Sequence, residues 1–316
     1  MPLAPRNPTA AASGNRPAMA GAVLGLMLML VGGCEAAISG NIDADGSPSV
    51  DGAPADAGAQ PDALVLGAWG TPQAIPGAAD ATNGEDDLTL NAAATELIYA
   101  VNVPGSGTSK DLFVMTRADA ASPWSAPLEL TGFNTAVAEE SPRLSLDDLT
   151  IYFGRGGDIF SATRTAVGEA WTTPVPVASV NTAAYEKWLA VCAGGVAMIS
   201  RYNDDSASQD LYQGTLADGA PTLVAELSST SNEISTFLSR DCNTTYFGSN
   251  RSGEMHLYTA TRASAAVAWS APVLLPSPFA DGTTDEDAWV STDQRTFVFA
   301  SVRGGATTKD LYISTR

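Results

Sequence analysis

Acidic residues recur at one position relative to a repeated aromatic residue, and their spacing could support chemistry. Aligning the chain on that aromatic places one acid at a fixed distance before it and a second acid one residue earlier. The aligned aromatics are Tyr99, Phe153, Phe247 and Phe299, and the acids are Asp86, Glu140, Glu186 and Glu286, preceded by Glu85, Glu139, Glu233 and Asp285. Grouped carboxylates can bind a cation, pair with arginine, or act as the acid and base of a glycosidase. The predicted acidic ring, with one acid from each repeat, is Asp86, Glu140, Glu186, Glu233 and Glu286.

Three interpretations of the predicted acidic ring are open. In the first, each acid pairs with an arginine of its own or a neighbouring repeat, and the candidates are Arg155, Arg201, Arg251 and Arg303. In the second, the ring concentrates a basic partner or a cation, for which Ca²⁺ is the candidate ion. The third is catalysis, which requires carboxylates in different environments, whereas these acids recur at equivalent positions. The sequence therefore favours a protein without catalytic residues and without a cofactor.

Other reactive side chains are few. Trp188 and Trp289 lie close to the acids in the sequence and are the candidate aromatic contacts for a ligand. A second set of tryptophans opens the repeats, and we expect its members to pack between repeats: Trp124, Trp171 and Trp269. His256 is the single histidine, which argues against a zinc site with several histidine ligands.

Short β-type segments must position these acids. In the last repeat, Trp289-Val290-Ser291 and Thr296-Phe297-Val298-Phe299 flank a polar turn, which is typical of a hairpin, and a third run follows a Gly-Gly loop. Copies of this unit span 69–117, 118–164, 165–216, 217–262 and 263–316, a period of roughly 50 residues that indicates a solenoid, propeller or array. Pairing the first segment with the last repeat would remove both free edges. We predict an all-β fold, a five-bladed β-propeller of four-stranded antiparallel blades closed by the N-terminal strand.

The repeats resemble the TolB-like, or PD40 (WD40-like), propeller repeats. The resemblance rests on the hairpin motif Ser141-Pro142-Arg143-Leu144-Ser145-Leu146-Asp147, on Ser301-Val302-Arg303 and on the following Asp310-Leu311-Tyr312. It covers nearly all of the chain after Trp69. It implies a propeller fold, and it implies the kind of function that such repeats have in periplasmic scaffold proteins, peptidase-linked propellers and lipoproteins.

The N-terminus has the features of an export signal. Arg6 and Arg16 precede an apolar run over 18–31 that is too short to span a bilayer comfortably. The run ends in Val31-Gly32-Gly33-Cys34, which resembles a bacterial lipoprotein signal with Cys34 as the lipidated residue. We therefore predict a signal peptide over 1–33, a lipidated cysteine with a disordered acidic Ala/Gly/Pro tether over 34–62, and the propeller over 63–316.

Charge limits the partners. The chain has 35 acidic and 16 basic residues and a formal net charge of -19, which argues against nucleic acid and against anionic membrane surfaces. Contact with the membrane is expected through the lipid anchor only.

Cys192 and Cys242 fall in the first hairpin turns of adjacent repeats. Because exported proteins meet an oxidising environment, a disulfide between the third and fourth repeats is one interpretation. Two buried free thiols are the other.

Together these features predict an exported, lipid-anchored, monomeric propeller that binds or scaffolds a protein or glycan partner at the outer membrane or cell surface. The alternative is a carbohydrate-binding or glycoside-cleaving propeller that uses the carboxylates at the channel mouth.

Overall fold

The computed structural model describes residues 66–79, 83–102, 110–202 and 208–316. The predicted signal peptide, the lipidation site Cys34 and the tether over 34–62 lie outside the described residues. No helix in the described part of the chain is long and apolar enough to cross a bilayer.

The described residues form five four-stranded antiparallel sheets, as predicted. The first strand is β1 (Gln73–Ala74). Blade 1 comprises β2 (Gly84–Leu90), β3 (Glu96–Asn102), β4 (Lys110–Thr116) and β5 (Leu128–Glu129). Blade 2 comprises β6 (Glu139–Leu144), β7 (Thr150–Arg155), β8 (Asp158–Thr163) and β9 (Val175–Pro176). Blade 3 comprises β10 (Glu186–Val191), β11 (Val196–Tyr202), β12 (Gln209–Thr215) and β13 (Thr222–Leu223). Blade 4 comprises β14 (Glu233–Leu238), β15 (Thr244–Ser249), β16 (His256–Thr261) and β17 (Val273–Leu274). Blade 5 comprises β18 (Thr284–Val290), β19 (Thr296–Val302), β20 (Asp310–Thr315) and β1.

The N-terminal strand closes the ring, which confirms the predicted closure. β1 pairs antiparallel with β20, with Gln73 opposite Ile313. The backbone N–H of Gly70 also donates to the carbonyl oxygen of Thr315 at 2.9 Å. Because the outermost strand of blade 5 comes from the other end of the propeller segment, opening the ring would expose a strand edge.

Trp124, Trp171 and Trp269 pack, as predicted, against apolar clusters that contain residues of two neighbouring blades. Each of them, and Trp69, also stacks with an arginine that follows the third strand of its own blade. The guanidinium carbon lies over the indole ring in Arg117–Trp124 (4.2 Å), Arg164–Trp171 (4.2 Å), Arg262–Trp269 (4.0 Å) and Arg316–Trp69 (4.2 Å). Arg164 also forms an ion pair with Glu96 at 2.6 Å, which links blade 2 to blade 1. The arginine of the recurring Thr-Arg pair and the recurring Trp therefore form one repeated cation–π contact.

The sulfur atoms of Cys192 and Cys242 are joined in a disulfide whose Cα atoms lie 5.4 Å apart. Cys192 follows β10 and Cys242 precedes β15, so the bond connects the first hairpin turns of blades 3 and 4. A backbone hydrogen bond of 3.0 Å from Ala193 to Arg240 joins the same two turns.

Candidate functional site

All five acids of the predicted ring lie on the innermost strands of the blades (β2, β6, β10, β14 and β18). Each of these strands contains a bulge. In four of them, a bulge residue has a left-handed backbone: Asp87 (φ 52°), Ser141 (φ 57°), Ser235 (φ 51°) and Asp287 (φ 59°). Short polar residues such as Asp tolerate this conformation better than most. The bulge lets consecutive side chains reach the same group, since Asp86 and Asp87 both contact the ammonium of Lys110.

Strand register sorts the acids into two groups. The outer group lies opposite the end of the second strand of each blade and comprises Glu85, Glu139, Glu186, Glu233 and Asp285. The inner group follows it by one or two residues in blades 1, 2 and 5 and comprises Asp86, Asp87, Glu140, Glu286 and Asp287.

The predicted acidic ring therefore combines two groups. Glu186 lies opposite Arg201 as Glu139 lies opposite Arg155, so the equivalent of Glu186 is Glu139 rather than Glu140. The sequence alignment slipped at this blade because its first hairpin turn is one residue shorter. Five residues separate the paired residues Val191 and Ala197, whereas six separate Leu144 and Ile151. Lys187 and Ile234 take the places of the inner acids in blades 3 and 4.

Four of the outer acids, Glu139, Glu186, Glu233 and Asp285, accept hydrogen bonds from the loop that enters their strand. Three of these bonds come from hydroxyl groups: Thr135 to Glu139 (2.6 Å), Thr182 to Glu186 (2.5 Å) and Ser229 to Glu233 (2.7 Å). Arginines of the same blade add ion pairs in Arg155–Glu139 (2.8 Å), Arg251–Glu233 (2.9 Å) and Arg303–Asp285 (2.6 Å). Of the predicted acidic ring, Glu233 pairs with a candidate arginine, Arg251. Arg155 and Arg303 pair instead with Glu139 and Asp285, which precede ring members by one residue. Arg201 instead stacks on Tyr212, 3.6 Å from the ring centre.

The inner group contacts lysines. Lys110 donates to Asp86 at 2.7 Å and to Asp87 at 2.8 Å. Lys187 contacts Glu140 at 2.9 Å, and Lys309 contacts both Asp86 and Glu286. We call these eight residues the lysine–carboxylate cluster: Asp86, Asp87, Glu140, Glu286, Asp287, Lys110, Lys187 and Lys309.

Sequence reasoning did not identify the lysines, although a signal for two of them exists. Lys110-Asp111-Leu112-Phe113 and Lys309-Asp310-Leu311-Tyr312 share the pattern Lys-Asp-Leu-aromatic at the start of the third strand. Both lysines therefore begin strands next to the innermost acids, at the same end of the channel.

Burial and the lysines set the protonation of the two bulge aspartates. Burial alone would raise the pKa of Asp87, but Lys110, Lys187 and Lys309 together lower it far below its ordinary range. Burial raises the pKa of Asp287 well above 3.8, and the neighbouring carboxylates of Asp87 and Glu286 raise it further. The backbone N–H of Asp87 donates to Oδ2 of Asp287 at 2.9 Å. The cluster thus favours the ionised form of Asp87 and the protonated form of Asp287.

A cation could also be held by carboxylates here, because oxygens of Asp86, Glu286 and Asp287 lie within 4.8 Å of one another. The ammonium groups of Lys110 and Lys309 already contact the same carboxylates. A calcium ion would therefore have to displace both lysines, and positive charge at this mouth is supplied by the protein itself.

Trp188 and Trp289, the two candidate ligand contacts, lie at different levels of the channel. Trp188 is 3% exposed, and its Nε1–H donates to Oδ1 of Asp87 at 2.8 Å. The ammonium of Lys187 lies 4.1 Å from the centre of the Trp188 indole. Trp289 lies toward the hairpin-turn end, where it lines a cavity. Only Trp188 belongs with the lysine–carboxylate cluster.

Comparison with known proteins supports the fold. No family model matches the sequence, and no curated protein matches it. The catalytic domain of the GH62 α-L-arabinofuranosidase from Coprinopsis cinerea is 13% identical with a TM-score of 0.54, over 78% of this chain and 96% of that chain. The endo-arabinase from Bacteroides thetaiotaomicron is 13% identical with a TM-score of 0.54, over 77% and 96%. TolB from Acinetobacter baumannii is 13% identical with a TM-score of 0.46, over 71% and 51%. At these identities the likeness to the GH62 domain and the endo-arabinase shows a shared propeller fold.

Proposed function

We propose that this protein is an exported binding or scaffolding propeller without hydrolytic activity, held at the cell envelope by a lipid on Cys34. One observation carries the proposal: the inner carboxylates are enclosed and already partnered by lysines. The exposed fractions of their side chains are 4% for Asp86, 1% for Asp87, 9% for Glu140 and 8% for Glu286.

A glycosidase needs carboxylates that reach the sugar. One must deliver a proton to the glycosidic oxygen and another must attack the sugar or activate water. Here Asp287 and Asp87 are both buried and contact each other, and Asp87 also contacts Lys110. The arrangement favours a rigid, charge-balanced channel mouth over a site that exchanges protons with a substrate.

Export is supported by the Cys192–Cys242 disulfide, because such bonds persist in oxidising compartments. The lipoprotein signal ending at Cys34 adds the membrane anchor. The partner that we propose is a protein or a glycan of the envelope.

A carbohydrate-cleaving function is the second candidate. It is favoured by the shared architecture with an α-L-arabinofuranosidase and an endo-arabinase and by the opposite pKa shifts of Asp87 and Asp287. Pairs of carboxyl groups with separated pKa values are typical of acid and base partners. The lysine contacts would then have to open when substrate binds.

Incubating the full-length detergent-purified protein with arabinan, arabinoxylan and xylo-oligosaccharides tests the choice. We expect no release of reducing sugar. Release that disappears in Asp87→Asn but persists in Asp293→Asn, a change in an exposed turn, would establish the hydrolase instead.

Metabolic labelling with an alkyne fatty acid should label the wild-type chain and not Cys34→Ser, and envelope cross-linking should capture a partner.

A further inference from the structure

One layer of the channel differs between blades that otherwise repeat. Five residues share the same register position on the innermost strands: Thr89, Arg143, Ala190, Phe237 and Trp289. Thr89 and Ala190 are small, whereas the other three residues are large, so space is left in the channel beside the two small residues. A cavity of about 600 Å³ opens there, at the hairpin-turn end of the channel. This volume lies within the usual range for small-molecule sites.

Arg143 lies against this cavity. Its residue is 5% exposed, and its Nη1 donates to the carbonyl oxygen of Leu88 in blade 1 at 2.7 Å. Its guanidinium carbon lies 5.8 Å from the ring centre of Phe237 in blade 4. Arg143 therefore crosses the channel from blade 2 and separates the cavity from the lysine–carboxylate cluster.

The guanidinium of Arg143 has unused hydrogen-bonding capacity. Nε has no partner in the described part of the chain, and no carboxylate oxygen of the described residues lies within ion-pair distance of 4.0 Å. Burial lowers the pKa of Arg143 to about 10, which leaves it charged at neutral pH. A buried cation with an unmet donor is costly unless something pairs with it.

The walls of the cavity are mainly apolar and aromatic. Phe237, Tyr246 and Trp289 line it together with Leu144 and Val191. The disulfide between Cys192 and Cys242 joins two of the turns that border it, so the opening is preformed rather than dependent on loop closure. Asp148, Arg240 and Asp241 also line the cavity, so Arg143 is the buried charge among several charged residues there. An apolar wall with a buried charged group is typical of a site for a small amphipathic ligand.

We propose that this cavity binds a small organic carboxylate, with the carboxylate on Arg143 and an apolar body against Trp289, Phe237 and Tyr246. A guanidinium matches the planar geometry of a carboxylate. The carboxylate of Asp87 acts electrostatically on Arg143 from the cluster side, which disfavours a doubly charged phosphate. The inference goes beyond the proposed function, because the cavity lies at the opposite end of the channel from the lysine–carboxylate cluster.

Isothermal titration of the full-length protein with 3-phenylpropionate and hexanoate tests the proposal, with 3-phenylpropanamide as the neutral match and a micelle blank. We expect at least one carboxylate to bind with Kd below about 1 mM and the amide to bind at least about tenfold more weakly. Arg143→Met should weaken carboxylate binding by about tenfold or more. Ala190→Trp, which fills the cavity, should abolish binding.

Arg240→Met is the matched control, because it removes the same charge from the exposed rim of the cavity. We expect it to change Kd by less than about twofold, since exposed charges are screened. Folding of each variant is checked by urea unfolding, and Ala190→Trp tests the site independently if Arg143→Met does not fold.

The proposal is overturned if neither carboxylate binds, if the amide binds equally well, or if Arg240→Met weakens binding as much as Arg143→Met. Tighter binding of phenyl phosphate would overturn the carboxylate assignment. None of these outcomes affects the hydrolysis and cross-linking tests of the proposed function, so the two proposals fail separately.

Discussion

The indole Nε1–H of Trp188 donates to Oδ1 of Asp87 across the channel, at 2.8 Å, and so connects two blades that are not neighbours in the ring. Both residues are buried. Ser141 adds a hydroxyl contact to the same oxygen at 3.3 Å. Residues of three blades therefore meet at the carboxylate of Asp87. Polar contacts as well as apolar packing hold the blades together at the centre of the propeller.

Trp188→Phe should destabilise the protein, because it removes the donor to an ionised buried carboxylate. We expect a loss of about 2 kcal/mol in the free energy of unfolding, measured by urea denaturation. Trp269→Phe is the matched control, since the Trp269 Nε1 has no hydrogen-bond partner in the part of the chain described. Equal losses for the two variants would show that the Asp87 contact contributes nothing of its own.

Asp287→Asn should stabilise the protein at neutral pH. The folded-state pKa of Asp287 lies above its ordinary value of 3.8, so the native state holds a proton that the unfolded chain releases. The stability linked to this group is therefore complete below pH 3.8 and falls as the pH rises toward the folded-state value. Asparagine needs no proton, can still accept the N–H of Asp87, and should add about 1 to 3 kcal/mol at pH 7.

The stability of both variants is measured by urea unfolding between about pH 3.5 and about pH 8, a range chosen to cover the titration of Asp287. The gain from Asp287→Asn should shrink toward the acid end. Asp293→Asn should instead lower the free energy of unfolding at neutral pH, because hydrogen bonds from Ser291 and Arg295 lower the pKa of Asp293 and so stabilise its ionised form. A pH-independent effect of Asp287→Asn would contradict the protonated state assigned to Asp287.

Lys110→Met should be strongly destabilising, because it leaves Asp86 and Asp87 without their shared ammonium. Breaking a buried ion pair typically costs about 3 to 5 kcal/mol. Adding Asp87→Asn to Lys110→Met should recover part of the loss, and the double-mutant cycle in urea measures how much. Additive losses would contradict the coupling of these two groups.

Glu233→Gln should cost more stability than Glu186→Gln. Glu233 accepts from Ser229, Ser249 and Arg251, whereas Glu186 accepts from Thr182. We expect losses of about 3 kcal/mol and about 1 to 2 kcal/mol in thermal or urea unfolding. The reverse order would show that the arginine bond does not hold the outer acid in place.

Replacing Cys192 and Cys242 together by serine should lower stability by about 2 to 5 kcal/mol, because the bond closes a long loop in the unfolded chain. The 50-residue separation of the two cysteines sets the size of that loop. Peptide mapping by mass spectrometry without reduction should find the linked pair. Free thiols at both positions in freshly purified protein would contradict the bond.

Sequence periodicity predicted the blades because each one is built from local hairpins. Runs such as Thr296-Phe297-Val298-Phe299 are β-type on their own, and the turn between them is encoded by adjacent residues. Closure through β1 followed from the need to cover strand edges. Arginine partners for the acids were one of three interpretations, and the structure pairs Arg155, Arg251 and Arg303 with acids of their own repeats.

The sequence alone determined the blade number and the closing strand, since these depend on short-range patterns that repeat. Only the tertiary structure decided which acids meet at the channel mouth. A turn shortened by one residue moves Glu186 to the outer group and brings Lys187 to the inner position. The tertiary structure also brings Lys110, Lys309 and Trp188 into contact with Asp86 and Asp87. The contacts of Lys309 and Trp188 join residues of different blades across a closed ring, and no local sequence pattern connects such residues.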